Sequence, residues 1–359
     1  LASAKDAPKN SPKTVLIAGP PFRGYLNSIG DGFRLWGVEP SFHEWLYPRR
    51  NLGQEVMYYS SRRYRLRRAT TQDDANAISL EKAVQESRPD LVLVMKAVDL
   101  TPGTMELCKR EGIRTVLWAY DSVTEFPIIS RVASKYDLVY TYEPADIDAL
   151  SRDCAPRVLP MAFDPKCYAR SNAASEKDID ICFVGSIDRY PQRRRLLRIV
   201  ADGLRKKRIG IWTDSIHWYS HRHVGDFILA GFRKNISLTR KTLDHAEING
   251  VYNRSRICLN IHHAQSKRAL NPRTFEILGA GGLLLTDRRL DDIEGFEDGD
   301  GYLYYSNEAE MLARIDEVLH DEKRAAATAE KGCSRAQVHT YEQRVRTILM
   351  DLRTIPDGA

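Results

Sequence analysis

Ile179-Asp180-Ile181-Cys182-Phe183-Val184-Gly185-Ser186-Ile187 reads as a buried strand that runs straight into a glycine turn. A basic helical pattern follows from about Pro191 to Lys206 and carries Arg193, Arg194 and Arg195, and the apolar run Ile209-Gly210-Ile211-Trp212 then makes the next strand. Upstream, Thr14–Gly19 is an apolar run closed by Gly19-Pro20-Pro21, and further short runs lie at Glu55–Tyr59, Leu91–Met95, Thr115–Ala119, Leu138–Tyr142 and Arg157–Met161. Helical patterns separate them at Asp73–Glu86 and at Pro102–Arg110, the latter opened by a Thr101-Pro102 cap. Downstream come Ile257–Ile261 as a strand, a helix at Pro272–Ala280, a strand at Gly282–Thr286 and two or three helices over Asn307–Leu352. Short apolar strands without alternation, separated by helices, belong to parallel sheets covered on both faces.

The fold expected is therefore α/β, with two doubly wound Rossmann-like domains facing an interdomain cleft at the carboxyl ends of their strands. Residues 1–13 read as a disordered leader, 14–161 as the first domain and the polar stretch 162–178 as a linker. Residues 179–335 form the second domain, and 336–359 a carboxyl-terminal helix packing back toward the first.

Composition narrows the function classes. The 359 residues are 43% hydrophobic and 28% charged, which suits a globular chain and not a disordered one. No run of about 18 apolar residues could span a bilayer, so a cytoplasmic location is expected. Net charge is 54 − 48 = +6, compatible with an anionic ligand but far from a dedicated nucleic-acid binder. The six cysteines show no C-x-x-C pair and read as free thiols.

Chemistry concentrates in Asn271-Pro272-Arg273-Thr274-Phe275-Glu276-Ile277-Leu278-Gly279-Ala280-Gly281-Gly282. Asn271 suits an N-cap and Pro272 the first helical position, so a helix amino terminus opens here with unpaired N–H groups and partial positive charge. Arg273 adds a planar fork that suits phosphate. Glu276, one turn further in, is placed to accept hydrogen bonds from the two vicinal hydroxyls of a ribose; the competing reading is a surface glutamate stabilised by the helix dipole. Gly185, Ser186 and Arg193 form a second phosphate-type turn, and His262 and Lys267 follow a strand end where they could line the same ligand. In the first half, Asp121 lies just past a strand and could serve as a general base or as a helix cap; His43 is a second source of a base. His217, His221, His223, His262 and His263 lack zinc-ligand spacing, so no metal is expected. The Arg62–Arg68 cluster reads as a solvated loop or an anion patch.

In order along the chain, Phe183-Val184-Gly185, Arg193-Arg194, Leu259-Asn260-Ile261, Asn271-x-Arg273-x-Phe275-Glu276, Gly281-Gly282-Leu283-Leu284-Leu285-Thr286 and His339-Thr340-Tyr341-x-x-Arg344 resemble the spore-maturation-protein (CgeB-like) glycosyltransferases of GT-B fold. Trp118–Asp121 and Val158–Pro165 extend the likeness into the first half. The resemblance implies a metal-independent, hexosyltransferase-type enzyme without a cofactor. It also implies a nucleotide-diphospho-sugar donor held mainly by the second half, with uridine the default base and thymidine the next, and an acceptor the sequence does not name. Glu276 corresponds to the glutamate that holds the donor ribose in related retaining enzymes; a second glutamate usual in them is replaced here by Arg268. The alternatives are a GT-B-fold sugar-nucleotide epimerase or hydrolase, and a non-catalytic nucleotide or nucleic-acid binding protein using the Arg62–Arg68 patch.

Overall fold

The computed structural model describes residues 12–21, 24–45, 53, 57, 61–171, 177–187, 190–213, 234–289 and 296–355. The chain divides into two compact units: Leu1–Pro160 together with Tyr341–Ala359, and Met161–Thr340.

The first unit is built on a six-stranded, all-parallel sheet in the order β2-β1-β3-β4-β5-β6. Its strands are β1 (Thr14–Gly19), β2 (Glu39–Glu44), β3 (Leu91–Val94), β4 (Arg114–Ala119), β5 (Leu138–Thr141) and β6 (Arg157–Val158). All four β3 residues are buried, as expected for a central strand covered on both faces. The helices are α1 (Tyr25–Leu35), α2 (Arg62–Ser87), α3 (Pro102–Glu111), α4 (Ile128–Val132) and α5 (Ile147–Leu150). Helix α3 forms as its sequence dictates: the Thr101 side chain accepts from the Thr104 N–H, Pro102 occupies the first turn and Gly112 closes the helix at φ 68°.

Three sequence expectations change here. The strand beside β1 is Glu39–Glu44, an edge strand whose polar, half-exposed residues hide its signal. Of the Glu55–Tyr59 run only Met57 lies within the described residues, and it is helical. The backbone of the Arg62–Arg68 cluster is the amino-terminal part of α2, not a loop. The first unit is completed by α11 (Tyr341–Asp351). A Cβ on Gly32 of α1 would sit 3.1 Å from Val345 and 3.3 Å from the Tyr341 backbone, so glycine permits the close approach of these helices.

The second unit holds a seven-stranded sheet in the order β12-β13-β11-β10-β7-β8-β9. The strands are β7 (Ile179–Val184), β8 (Ile209–Thr213), β9 (Ile236–Arg240), β10 (Ser255–Asn260), β11 (Leu284–Asp287), β12 (Glu297–Asp298) and β13 (Gly301–Tyr305). The helices are α6 (Pro191–Gly203), α7 (His245–Arg254), α8 (Pro272–Gly279), α9 (Glu308–His320) and α10 (Glu322–Ala336). The chain fills the sheet outward from β7 to β9, then returns to β7's other side with β10. This reversal creates a topological switch point between β7 and β10. Leu196, Leu197 and Val200 of α6 and Met311, Ile315 and Val318 of α9 pack with Ile181, Phe183, Ile209 and Ile211 in one apolar core. The opening part of the expected linker, residues 162–171, is ordered within this unit. Phe163 N–H donates to the His339 carbonyl (3.1 Å), and Asn253 of α7 receives the Ser171 N–H (2.8 Å). Residues 172–176, the leader 1–11 and the histidine-rich stretch 217–223 lie outside the described residues.

Candidate functional site

The switch point of the second unit gathers most of the residues singled out in the sequence. Helix α8 opens as expected: the Asn271 side chain accepts the Thr274 N–H at 3.2 Å. That cap is itself locked from β10. Asn260 Nδ2 donates to Asn271 Oδ1 (3.1 Å) and to Thr274 Oγ1 (3.1 Å), and Asn271 Nδ2 donates back to Asn260 Oδ1 (3.2 Å). Two buried amides that satisfy each other fix the helix terminus to the end of a central strand, so the first-turn N–H groups have a defined direction.

Arg273, in that first turn, lays its guanidinium along β7. A Cβ on Gly185 would lie 3.1–3.2 Å from its Cζ, Nε and Nη2, so the absent side chain at 185 is the space the guanidinium occupies. Gly185 and Arg273, far apart in sequence, are thus neighbours. Glu276 is fully buried, 0% exposed. The surface-glutamate reading fails on that number, because a side chain stabilised only by the helix dipole would be solvated.

Arg193 is placed differently from expectation. It is buried, and its guanidinium donates from Nε to the Ile261 carbonyl (2.9 Å) and from Nη1 to the Ser186 carbonyl (2.9 Å). It ties the turn after β7 to the end of β10, which makes it a positioning residue for Gly185 and Ser186. His262 is also buried; its backbone N–H and its Nδ1 both lie on Asp287 Oδ1, at 2.9 and 2.8 Å. A carboxylate only accepts, so Nδ1 is the donor of this contact. Arg289 pairs with the same carboxylate. Lys267 is exposed.

The first unit's two residues are not brought together. His43 on β2 and Asp121 beyond β4 lie on strands separated by β1 and β3, three spacings or about 14 Å apart across the sheet. His43 Nε2 is 3.0 Å from Ser79 Oγ of α2, and its ring stands edge-on to Trp45; burial lowers its pKa. Asp121 caps no helix, since α4 begins after Pro127 without a side-chain cap. Its loop is instead pinned from β5's end. Asp146 accepts from Ser122 Oγ (2.8 Å) and Val123 N–H (3.0 Å), and burial raises the Asp146 pKa against those bonds.

Sequence reasoning missed Asp287 and Asp146, and it quoted Asn260 only inside the Leu259-Asn260-Ile261 motif, without a role. Asn260 and Asp287 end strands and Asp146 follows one, which was the available signal, but each acts by holding a neighbour, a contact that no local pattern shows. Among the described residues no group of three or more His, Cys, Asp or Glu could hold a metal ion, and no helix is long and apolar enough to cross a membrane.

The chain is similar to known proteins in one segment of its sequence and in its fold. Residues 189–350 match the Glycosyl transferase-like family. No curated protein matches the chain in sequence. Among solved structures, sucrose-phosphate synthase from Thermosynechococcus elongatus superposes with a TM-score of 0.68 at 10% identity, covering 96% of this chain and 100% of that one. The HepE protein of Anabaena, solved in complex with UDP and glucose, gives 0.62 at 11% identity over 95% and 100% of the two chains. The E. coli trehalose-6-phosphate structure bound with UDP-2-fluoro glucose gives 0.69 at 12% identity over 95% and 99%. The chain thus has the GT-B fold, two parallel-sheet α/β halves, and its segment 189–350 is similar to the Glycosyl transferase-like family.

Proposed function

We propose that this chain is a glycosyltransferase that takes a sugar from a nucleoside-diphosphate donor, with UDP as the nucleotide, and that the donor sits at the β7–β10 switch point of the second unit. The observation that carries the reading is the Asn271–Arg273–Glu276 helix start, locked by Asn260 and paired with Gly185. Diphosphate leaves as an anion, so the transition state needs positive charge and oriented N–H groups and no acid on the leaving group. The α8 amino terminus and Arg273 supply both. The buried carboxylate of Glu276 supplies the acceptor for ribose hydroxyls. Gly185 leaves room for the Arg273 guanidinium, and Ser186 approaches the phosphates by backbone. UDP in two of the structural neighbours favours uridine.

The same reading keeps Asp121 and His43 as alternative bases for an acceptor hydroxyl, and places the family position near the spore-maturation-type glycosyltransferases. The reaction is proposed as hexosyl transfer without a metal.

Thermal unfolding against a panel of nucleoside diphosphates and their sugars tests it. UDP at a hundredfold above its Kd adds about 2.7 kcal/mol to stability, a rise of a few degrees in Tm. A panel in which no nucleoside diphosphate raises Tm overturns the reading. Sugar release that stays the same with and without acceptor alcohols would replace it with a hydrolase.

A further inference from the structure

Where α7 packs beside α8, each helix carries a buried polar atom that makes no hydrogen bond: Tyr252 Oη from α7 and Arg273 Nε from α8. Tyr252 is 1% exposed, its ring tilted against Tyr168 at 6.3 Å between centroids, and α7 packs beside both β10 and α8. Burial raises the phenol's pKa; Glu276 pushes it further up and Arg273 pulls it down, so both charges act on the one hydroxyl. Each of these atoms bears a desolvation cost that a native structure seldom leaves uncompensated. The two are chemically complementary. Nε–H can only donate, whereas a phenol both donates and accepts.

Resting on the donor site proposed above, we propose that Tyr252 is a positioning residue for that site, its hydroxyl accepting from Arg273 Nε–H and donating to the Glu276 carboxylate once a nucleoside diphosphate is bound. Hydrogen bonds at unliganded sites are commonly long and tighten only around the ligand. A phosphate engaging the terminal nitrogens of Arg273 fixes the guanidinium plane, and with it the direction of Nε–H. A ribose engaging Glu276 does the same for the carboxylate. Tyr252 then couples the group that holds phosphate to the group that holds ribose. The two halves of the ligand are sensed together.

Tyr252→Phe removes only the oxygen and keeps the ring's packing, so the variant is expected to fold. Calorimetric titration of native and variant protein with UDP, 2′-deoxy-UDP and uridine, beside the Tm of each unliganded protein, gives the readout. Losing one supporting hydrogen bond should weaken UDP by about threefold to tenfold and narrow both the UDP-over-uridine and the ribo-over-deoxy preferences. The unliganded Tm should hold or rise, because an unpartnered buried hydroxyl has been removed. A hydroxyl with a purely structural role would move Tm alone. A variant with native affinities for all three ligands overturns the assignment of Tyr252 while leaving the donor site standing. Absence of UDP binding to the native protein overturns both.

Discussion

The strand ends of the two sheets are organised in opposite ways. At the β7–β10 switch point, residues from two strand ends and a helix start converge: Asn260 locks Asn271, Arg273 lies on Gly185, and Glu276 is buried in the same helix. At the carboxyl edge of the first sheet, the two residues expected to do chemistry are held apart. His43 is engaged with Ser79, and Asp121 rides on a loop pinned by Asp146. A ligand carrying fixed negative charge needs a preorganised cradle, and a cradle shows as packing in the unliganded chain. A base that meets a neutral hydroxyl needs only one well-placed lone pair, which leaves no comparable mark.

If that contrast is right, the largest single effect should come from the cradle. Arg273→Ala should weaken UDP by about tenfold to a hundredfold, the worth of a hydrogen bond to a charged group, about 1.5–3 kcal/mol. Uridine, which lacks the diphosphate, should bind the variant nearly as well as it binds the native protein. Titration of both ligands checks this. Equal losses for UDP and uridine would mean that Arg273 props up the pocket without touching phosphate.

Glu276→Gln should act next most strongly, and on a different axis. A buried carboxylate accepts from two hydroxyls, whereas an amide presents one acceptor and one donor. Native protein should prefer UDP to 2′-deoxy-UDP by about tenfold, and the variant should lose most of that preference. The measurement is a ratio, so a general loss of stability cancels. An unchanged ratio would return Glu276 to a packing role.

These two residues show what a sequence exposes and what it hides. Asn271-Pro272 announces a helix start because capping is local chemistry, carried by residues within one turn of each other. Phe183-Val184-Gly185 announces a strand and a turn for the same reason. The central strands β3, β4, β7 and β10 read clearly because burial on both faces leaves continuous apolar runs. Edge strands did not: Glu39–Glu44 and Ile236–Arg240 are half-exposed, and their composition resembles loop. What no local pattern carries is a contact made across the fold. Arg193 has the composition of a phosphate ligand, yet it is spent on the carbonyls of Ser186 and Ile261. Tyr252 looks like core, and only the packing of α7 on α8 brings it within the electrostatic reach of Arg273 and Glu276.

A smaller effect sharpens the Gly185 contact. Gly185→Ala places a methyl 3.1 Å from the Arg273 guanidinium, so the side chain must give by a few tenths of an ångström. UDP affinity should fall by about threefold, well short of Arg273→Ala, and the combined variant should be no worse than Arg273→Ala alone, since the two changes act on one contact. Additive losses in the double variant would show that Gly185 serves the ligand through its own backbone.

The smallest expected effect lies at the other edge and decides between its two residues. Burial lowers the His43 pKa, so the folded protein keeps that ring neutral at a pH where the unfolded chain, near 6.5, already takes up a proton. Stability from this site is therefore present above about pH 6.5 and is lost as pH falls from there toward the lower folded value. The neutral ring can accept the Ser79 hydroxyl proton at Nε2, and protonation there reverses that bond so that Ser79 Oγ accepts. His43→Gln should accordingly flatten the stability profile on the acid side of about pH 6.5 while changing little at pH 8. The catalytic profile then separates the roles. With His43 as the acceptor's base, the acid limb of kcat/KM should lie below 6.5 and disappear with the substitution. With Asp121 as the base, the limb should lie in the carboxylate range, survive His43→Gln and vanish in Asp121→Asn.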